Sequence, residues 1–458
     1  MVDLPAFRST ELSGWGSYPV QECDLYQPRN LEELQEIIQN APQADLISRG
    51  KGRSYGDAAL NQNRGVLLPE GQNRILQFHE DSGVIECEAS TSISEILDHV
   101  LPRGFFLPIT PGTKHISIGG AIAADIHGKN HHRDGTISTQ LLGFRLITGT
   151  GTILSCSRTE NSDLFWATLG GMGLTGVLLD ARLQLRRMET AYVSAHTERC
   201  RDLDETLERM ETGDQHYDYA VAWIDCLARG RALGRSVLLR ANPASLNDLP
   251  TRLRASPNAN PRLPTLEMPF ELPNFLLNPV NMRLFNAAFF RAPRARRSVR
   301  HCNRYFYPLD RIGHWNRIYG RRGVLQYQLV LPRTTARQGL GEILDQTTAL
   351  GRGSFLAVLK STGPATASPL SFPIEGISLA LDFPNTGSDL LGMLRRLDGI
   401  VVRHGGRVYL AKDSCLGSED FRAMYPRLAE FQAVKKKYDP KTRFSSSLAR
   451  RLGIVGSP

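Results

Sequence analysis

Residues 49–57 read RGKGRSYGD, a glycine-rich stretch that follows the short apolar segment ADLIS. Three glycines alternate there with three basic residues. Glycine takes positive φ values and has no Cβ, so successive backbone N–H groups can converge on an anion such as a pyrophosphate. The stretch lacks the Gly-Lys-Ser/Thr ending of a Walker A loop and the GxGxxG spacing of a Rossmann fold. Taken alone, such a stretch is more typical of an ordinary turn, so a role in binding an anion has to be judged from the sequence around it.

Two further glycine clusters follow along the chain. Residues 111–132 read PGTKHISIGGAIAADIHGKNHH, where glycines recur among small alanines, and residues 169–176 read LGGMGLTG. Backbone without bulky side chains can lie flat against a large planar ligand. The three clusters together therefore favour a cofactor-binding N-terminal half over an ordinary core.

The histidines of the second cluster allow more than one interpretation. His127, His131 and His132 could supply imidazole ligands to a metal ion. No Cys, Asp or Glu partner lies at a typical ligand spacing, so we expect no metal. A structural role and a contact with a cofactor or substrate both remain open.

Composition narrows the protein class. The chain has 458 residues, a formal net charge of +9 and seven cysteines without a Cys-x-x-Cys pair, which favours two or three domains in a reducing compartment. The N-terminus has no basic n-region or apolar h-region, and no run of about 18 apolar residues occurs. We therefore expect no signal peptide and no transmembrane helix, and a location in the cytoplasm or peripherally on the inner membrane.

Short helices and strands alternate along the chain, which favours an α+β fold. The segment NLEELQEIIQNA predicts a first helix with Asn30 as N-cap and Glu33 in the capping-box position. GFRLITGTGTILSCS predicts a β-hairpin around residues 149–151, and HGGRVYLAKDS predicts a turn followed by a strand. Near residue 190 the pattern changes to longer alternating strands, so we expect a domain over residues 1–189, a second over 190–406 and a C-terminal segment over 407–458.

An apolar stretch in the second half is followed by arginines. NFLLNPVNMRLFNAAFF ends at residue 290, and Arg291, Arg294, Arg296, Arg297 and Arg300 come next. Apolar side chains beside arginines suit an anionic lipid surface better than a nucleic-acid groove, and a solvated loop flanking a buried helix is the alternative. No helix-turn-helix, RRM or zinc-finger pattern occurs, so we expect no nucleic-acid partner. A non-enzymatic anion or nucleic-acid binding protein is the alternative of another class.

The glycine clusters, in this order, resemble the PCMH-type FAD-binding domain of the vanillyl-alcohol oxidase superfamily. RGKGRSYGD resembles its pyrophosphate loop, and PGT, SIGG and DIHG resemble segments that line the flavin. AIAADIHGKNHH, DLFWATLGGMGLTG, LQYQLVLP, PLSFPI, ALDFP, GGRVYLAKDS and FQAVKKKYDP are similar to motifs of the decaprenylphosphoryl-β-D-ribose 2′-oxidase family. This second resemblance extends from about Trp15 to Arg451.

The resemblance implies an α+β architecture with noncovalently bound FAD. Residues 1–189 would form the FAD-binding domain of two α/β subdomains, residues 190–406 a substrate-binding cap on an antiparallel sheet, and residues 407–458 would return to the FAD domain. The implied FAD contacts are Ser48, Arg49, Gly50, Lys51, Gly52, Arg53, Ser54, Tyr55, Gly56, Asp57, Ala58, Gly112, Ser117, Ile118, Gly119, Gly120, Ala124, Asp125, Ile126, His127, Val177 and Tyr409.

The resemblance also implies a reaction. Lys412 and His127 would be catalytic, and the residues lining the substrate pocket would be Lys129, Tyr305, Gln326, Gln328, Lys360 and Lys412. Ala380 stands where mycobacterial members carry a cysteine beside the flavin.

The implied substrate is a polyprenyl-phosphoryl-β-D-ribose, whose 2′-hydroxyl would be oxidised to a ketone. A partner short-chain reductase would then complete an epimerisation to arabinose. A lipid-linked substrate also favours peripheral contact with a membrane. A soluble FAD-linked sugar, lactone or alditol oxidase is the alternative among flavoenzymes.

Overall fold

The computed structural model describes residues 7–41, 45–69, 71, 73–261, 264–292, 297–349, 351 and 356–456, without the side chains of residues 274 and 275. Within these residues two small sheets in the N-terminal part are followed by one large antiparallel sheet. This mixture of helices and largely antiparallel sheets confirms the predicted α+β fold.

The first sheet packs against the first helix. Helix Leu31–Asn40 buries Leu34, Ile37 and Ile38, and the Asn30 side chain accepts a hydrogen bond from the Glu33 backbone N–H. Only half of the predicted capping box forms, because the Glu33 carboxylate accepts from the N–H of Arg29, at 2.9 Å, and not from that of Asn30. The four strands lie in the spatial order Arg8–Ser13, Val20–Tyr26, Gly65–Leu67 and Leu46–Ser48.

The second sheet is entirely antiparallel. Its strands lie in the order Ile75–His79, Val84–Glu88, Val177–Gln184, Leu141–Ile147 and Ile153–Cys156. The predicted hairpin joins the last two strands, with Gly151 at a φ of +81°. Helix Ile93–Val100, which has a complete Ser92–Glu95 capping box, packs into the same core.

The large sheet has eight antiparallel strands. In spatial order they are Arg297–His301, Tyr192–Cys200, Ser236–Pro243, Tyr219–Ile224, Ala357–Thr362, Gly376–Pro384, Val324–Pro332 and Arg407–Val408.

Side chains of the large sheet alternate between two faces. Leu329, Leu359 and Leu379 belong to one face, which packs against helices Leu203–Gly213, Arg333–Ala349 and Ser388–Arg403. Strand register pairs Gln326 with Asp382, Gln328 with Ala380, and Lys360 with Ser378. Directly paired residues point the same way, so these polar side chains share the opposite face, which we call the polar face.

The C-terminal segment connects the large sheet with the N-terminal sheets. It begins as the edge strand Arg407–Val408, and Phe444 forms a parallel bridge with Leu46 of the first sheet. The buried Lys435 donates to Asp439 at 2.6 Å, to the Phe444 carbonyl at 2.7 Å and to the Leu174 carbonyl at 2.9 Å. The domain boundaries at residues 190 and 407 stay predictions.

The shorter elements complete the fold. Strand Phe105–Phe106 pairs with Arg186–Arg187, and Leu266–Glu267 pairs with Ile312–Gly313. The other helices are Ile118–Ala123, His131–Asp134, Ser162–Thr168, Thr251–Arg254, Pro279–Arg291, Cys302–Phe306, Ser418–Met424, Leu428–Tyr438 and Ser447–Leu452. Within the described ranges, every helix is too short or too polar to span a bilayer.

Candidate active site

The predicted pyrophosphate loop carries a row of unpaired backbone N–H groups. It begins after strand Leu46–Ser48, and Arg49 points inward to donate to the Ser13 carbonyl at 2.6 Å, whereas Lys51 is exposed. Five consecutive N–H groups of this loop donate to no acceptor among the described residues, namely those of Gly50, Lys51, Gly52, Arg53 and Ser54. Such a turn fits the pyrophosphate of FAD.

Small residues form an open strip beside this loop. The Ser117 hydroxyl caps helix Ile118–Ala123 by accepting from the Gly120 N–H at 3.2 Å. A Cβ on Gly50 would lie 2.3 Å from Ser117 Oγ, so the loop touches this helix directly. Gly112 and Gly120 are exposed, and a Cβ on Gly112 would have no neighbour within 4 Å. This exposed backbone fits a flat ring system.

Asp125 and Tyr409 join the second glycine cluster to distant parts of the chain. Asp125 is buried and has a positive φ of +41°. Its carboxylate accepts a hydrogen bond from the Ser371 hydroxyl at 2.6 Å, and burial raises the pKa of Asp125 to about 6. The Tyr409 hydroxyl donates to the Ala124 carbonyl at 2.8 Å, and its backbone N–H donates to the Gln328 carbonyl at 2.8 Å. These bonds bring the N-terminal half, the large sheet and the C-terminal segment to one place.

His127 lies at this junction with one free ring nitrogen. Its ring centroid is 5.5 Å from that of Phe372 and 5.3 Å from that of Tyr409. The side-chain N–H of Gln328 donates to Nε2 at 2.9 Å, which puts the ring proton on Nδ1. Burial, with the positive charge of Lys360, holds the pKa of His127 well below its usual value, so the ring is neutral. Nδ1 has no partner among the described residues although only 6% of His127 is exposed, so this donor is available to a ligand.

Three half-buried lysines belong to the same part of the molecule, and two of them, Lys360 and Lys412, act on the pKa of His127. Burial and the charge of Lys360 lower the pKa of Lys129 to about 7, and burial and the charge of Lys412 lower that of Lys360 to about 8. Burial also lowers the pKa of Lys412, and the charge of Asp382 opposes that shift. The Lys412 ammonium lies 4.1 Å from the ring centre of Tyr55. The charge of Lys360 thus acts on Lys129, and the charge of Lys412 acts on Lys360, which places Lys360 near both of the other lysines.

Asp382 is a site residue that the sequence analysis missed. It lies on the polar face opposite Gln326, whose side-chain N–H donates to it at 2.5 Å. Burial raises the pKa of Asp382, against the lowering effect of the Gln326 hydrogen bond and of the nearby Lys412 charge. The alternation in SLALDFP could have identified it, because residues 378, 380 and 382 share one face with Gln326 and Gln328.

The side chains of three predicted FAD contacts are buried in the core. Ile118 and Ile126 pack into the core of the second sheet, and Val177 packs into the core around the first helix. Tyr305 lies beneath Lys129, with its ring centre 4.4 Å from the ammonium nitrogen, and its carbonyl accepts from that ammonium. The individual roles of the predicted site residues stay predictions.

The other histidines of the segment have protein partners. His131 Nδ1 accepts from the Gly363 N–H at 2.9 Å, and His132 Nε2 lies 3.0 Å from the Tyr217 carbonyl. In the part of the chain that the structure describes, no group of three or more His, Cys, Asp or Glu residues is arranged to hold a metal ion. Ala380 lies on the polar face opposite Gln328.

Comparison with known proteins gives two family matches. Residues 25–157 match the family described as FAD binding domain, and residues 385–452 match the family described as D-arabinono-1,4-lactone oxidase. The first match confirms the predicted FAD cofactor. Together with the oxidases described next, it confirms an FAD-dependent oxidoreductase rather than a non-enzymatic binding protein.

One of the individual relatives aligns with this chain over nearly the full length of both proteins. The chain is 36% identical to decaprenylphosphoryl-beta-D-ribose oxidase of Mycolicibacterium smegmatis over 450 residues, which cover 97% of each protein. It is 24% identical to L-gulonolactone oxidase of Mus musculus over 45% of this chain and 48% of that protein. It is 28% identical to the mitochondrial D-2-hydroxyglutarate dehydrogenase of Rattus norvegicus over 34% of this chain and 30% of that protein.

Proposed function

Because the chain belongs to the decaprenylphosphoryl-β-D-ribose oxidase family, we propose that it oxidises the 2′-hydroxyl of a polyprenyl-phosphoryl-β-D-ribose to a ketone. FAD, when bound, accepts the hydride from the carbinol carbon. The keto sugar requires a second enzyme to become the arabinose epimer, and we assign that step to a partner short-chain reductase.

The observation that carries this proposal is the group of lysines beside His127. Neither Lys129 nor Lys360 forms an ion pair with a carboxylate among the described residues. Burying unpaired cations together is costly, and a bound anion offsets that cost. A phosphodiester supplies the missing negative charge, whereas a neutral lactone or alditol does not.

The residues around this anion site suit alcohol oxidation. Gln328 fixes His127 so that its Nδ1–H can donate to a substrate oxygen, and Lys412 can stabilise negative charge that develops as the hydroxyl loses its proton. Hydride transfer needs the carbinol carbon at about 3 to 3.5 Å from its acceptor. The sugar therefore has to lie between the polar face of the large sheet and the open strip of small residues around Gly112 and Gly120.

We propose that FAD is bound noncovalently. This proposal rests on the resemblance to the decaprenylphosphoryl-β-D-ribose oxidase family and not on the histidines, because Nδ1 of His127 and Nε2 of His131 have no partner among the described residues. Acid precipitation tests this: yellow colour in the supernatant supports noncovalent binding, and yellow colour in the pellet contradicts it.

We further propose peripheral contact with an anionic membrane through helix Pro279–Arg291. Met282 and Asn286 are buried, whereas the apolar side chains that remain exposed are Val280, Leu284, Phe285 and Phe289. Phe289 packs on Trp223, with ring centroids 4.6 Å apart, and Trp223 is the register partner of Val358, two residues from Lys360. The helix thus adjoins the polar face, where a lipid tail would leave the site.

Liposome flotation tests this contact. Arg294 and Arg296 of the predicted basic stretch lie outside the described residues, so the test rests on the helix itself. Leu284→Asp should abolish flotation with anionic vesicles, whereas Val20→Asp, an exposed valine in a strand of the first sheet, should not. Equal flotation of both variants would contradict the assignment.

A lactone or alditol oxidase is the second candidate, favoured by the lactone-oxidase match over residues 385–452. Anaerobic mixing of holoenzyme with each substrate separates the two. Bleaching of the flavin band by farnesylphosphoryl ribose, but not by L-gulonolactone or xylitol, is the expected result. The reverse pattern would overturn the proposed substrate.

A further inference from the structure

One arginine, Arg451, joins the cofactor loop to the turn that carries Lys412. Its guanidinium donates to the two carboxylate oxygens of Asp57 at 2.7 and 3.1 Å and to Asp413 at 2.9 Å. It also donates to the Leu416 carbonyl at 2.8 Å. Asp57 ends the glycine-rich loop, and Asp413 directly follows the lysine. Both carboxylates are nearly inaccessible to solvent, so this shared ion pair is costly to break.

Direct contacts hold the same loop and turn together. The Tyr55 N–H donates to the Ala411 carbonyl at 3.0 Å. A Cβ on Gly56 would lie 1.6 Å from the Asp413 carbonyl oxygen, so the two backbones touch. The Lys412 ammonium lies over the Tyr55 ring. Any shift of the turn relative to the loop therefore moves the lysine relative to whatever the loop binds.

We infer that Arg451 is a positioning residue, which fixes Lys412 relative to the bound flavin by pairing Asp57 with Asp413. The inference rests on the proposed function for the place of Lys412 beside the flavin, but it involves no sugar. Lysine cannot replace this arginine, because one ammonium group cannot reproduce the planar fork that serves both carboxylates. Arg451→Lys thus keeps the charge and removes the geometry.

The midpoint potential of the bound FAD measures this effect without any substrate. A cation beside the flavin favours the reduced form, so a displaced Lys412 lowers the potential. We expect Arg451→Lys to lower the midpoint potential by about 30 mV, which for a two-electron couple corresponds to a tenfold weaker preference for the reduced flavin. Arg450→Lys is the matched control, because Arg450 lies in the same helix but donates to Asn61 at 2.8 Å and to Ser445 at 3.2 Å.

A double variant shows whether Arg451 acts through Lys412. In a Lys412→Met background, Arg451→Lys should cause no further shift, because the displaced charge is already absent. An unchanged potential in Arg451→Lys, an equal shift in Arg450→Lys, or a full additional shift in the double variant would each overturn the inference. If Lys412→Met alone leaves the potential unchanged, the lysine does not lie beside the flavin. In that case both the proposed place of Lys412 and the positioning role of Arg451 are wrong. Failure of the sugar to bleach the flavin, with the expected potentials intact, would instead overturn the substrate alone.

Discussion

Replacing Lys360 with methionine should weaken binding of the phosphoryl sugar without slowing the chemical step. Methionine keeps an unbranched apolar stem of similar length, and Lys360 lies half-buried on the polar face opposite Ser378. A hydrogen bond to a charged group contributes about 1.5 to 3 kcal/mol. The dissociation constant should therefore rise roughly 10-fold to 100-fold, at about 1.4 kcal/mol for each factor of ten.

Stopped-flow reduction under anaerobic conditions separates the two quantities. The dependence of the bleaching rate on substrate concentration gives the dissociation constant, and its plateau gives the rate of the chemical step. Lys436→Met, at an exposed lysine of helix Leu428–Tyr438, controls for the loss of one positive charge from the protein. A lower plateau with an unchanged dissociation constant in Lys360→Met would refute the anion-binding role, and so would an equal effect of Lys436→Met.

Three further results are expected. Lys412→Met should keep the FAD absorbance spectrum while turnover falls by about 10²- to 10³-fold, as for loss of an electrostatic stabiliser; undiminished turnover would remove the lysine from the mechanism. The pH profile of kcat/KM should fall as pH rises through 7 to 8, because Lys129 and Lys360 lose their protons near these lowered pKa values and the neutral amines bind an anion weakly; a flat profile between about pH 6 and 9 would contradict this. Lys435→Met leaves the buried Asp439 without its cation and should lower the free energy of unfolding by about 3 to 5 kcal/mol in urea titrations. A urea midpoint equal to that of Lys436→Met would refute this expected loss of stability.

Features encoded over a few neighbouring residues could be predicted from the sequence. The glycine clusters, the first helix with its Asn30 cap and the hairpin at residues 149–151 all depend on local backbone preferences. The strand predicted in VYLAKDS ends at Val408 instead. Contacts with distant residues override the strand propensity of this segment. The Tyr409 N–H donates to the Gln328 carbonyl, and the Lys412 N–H then donates back to the Tyr409 carbonyl, so the chain turns after Tyr409.

The rest of the site depends on contacts between distant residues. His127 and Gln328 are 201 positions apart, and Gln326 and Asp382 are 56 positions apart. Their meeting depends on strand order and register, which no local pattern specifies. Arg451 likewise has no signal in the sequence, because its partners Asp57 and Asp413 lie 394 and 38 positions away.

Identification of the oxidised carbon tests whether the enzyme acts on the 2′-hydroxyl of the sugar. After a single turnover with farnesylphosphoryl ribose, reduction of the product with sodium borodeuteride should place one deuterium at C2 of the sugar and give ribose and arabinose epimers. Deuterium at another carbon, or recovery of unlabelled ribose after the flavin has bleached, would contradict oxidation at the 2′-hydroxyl.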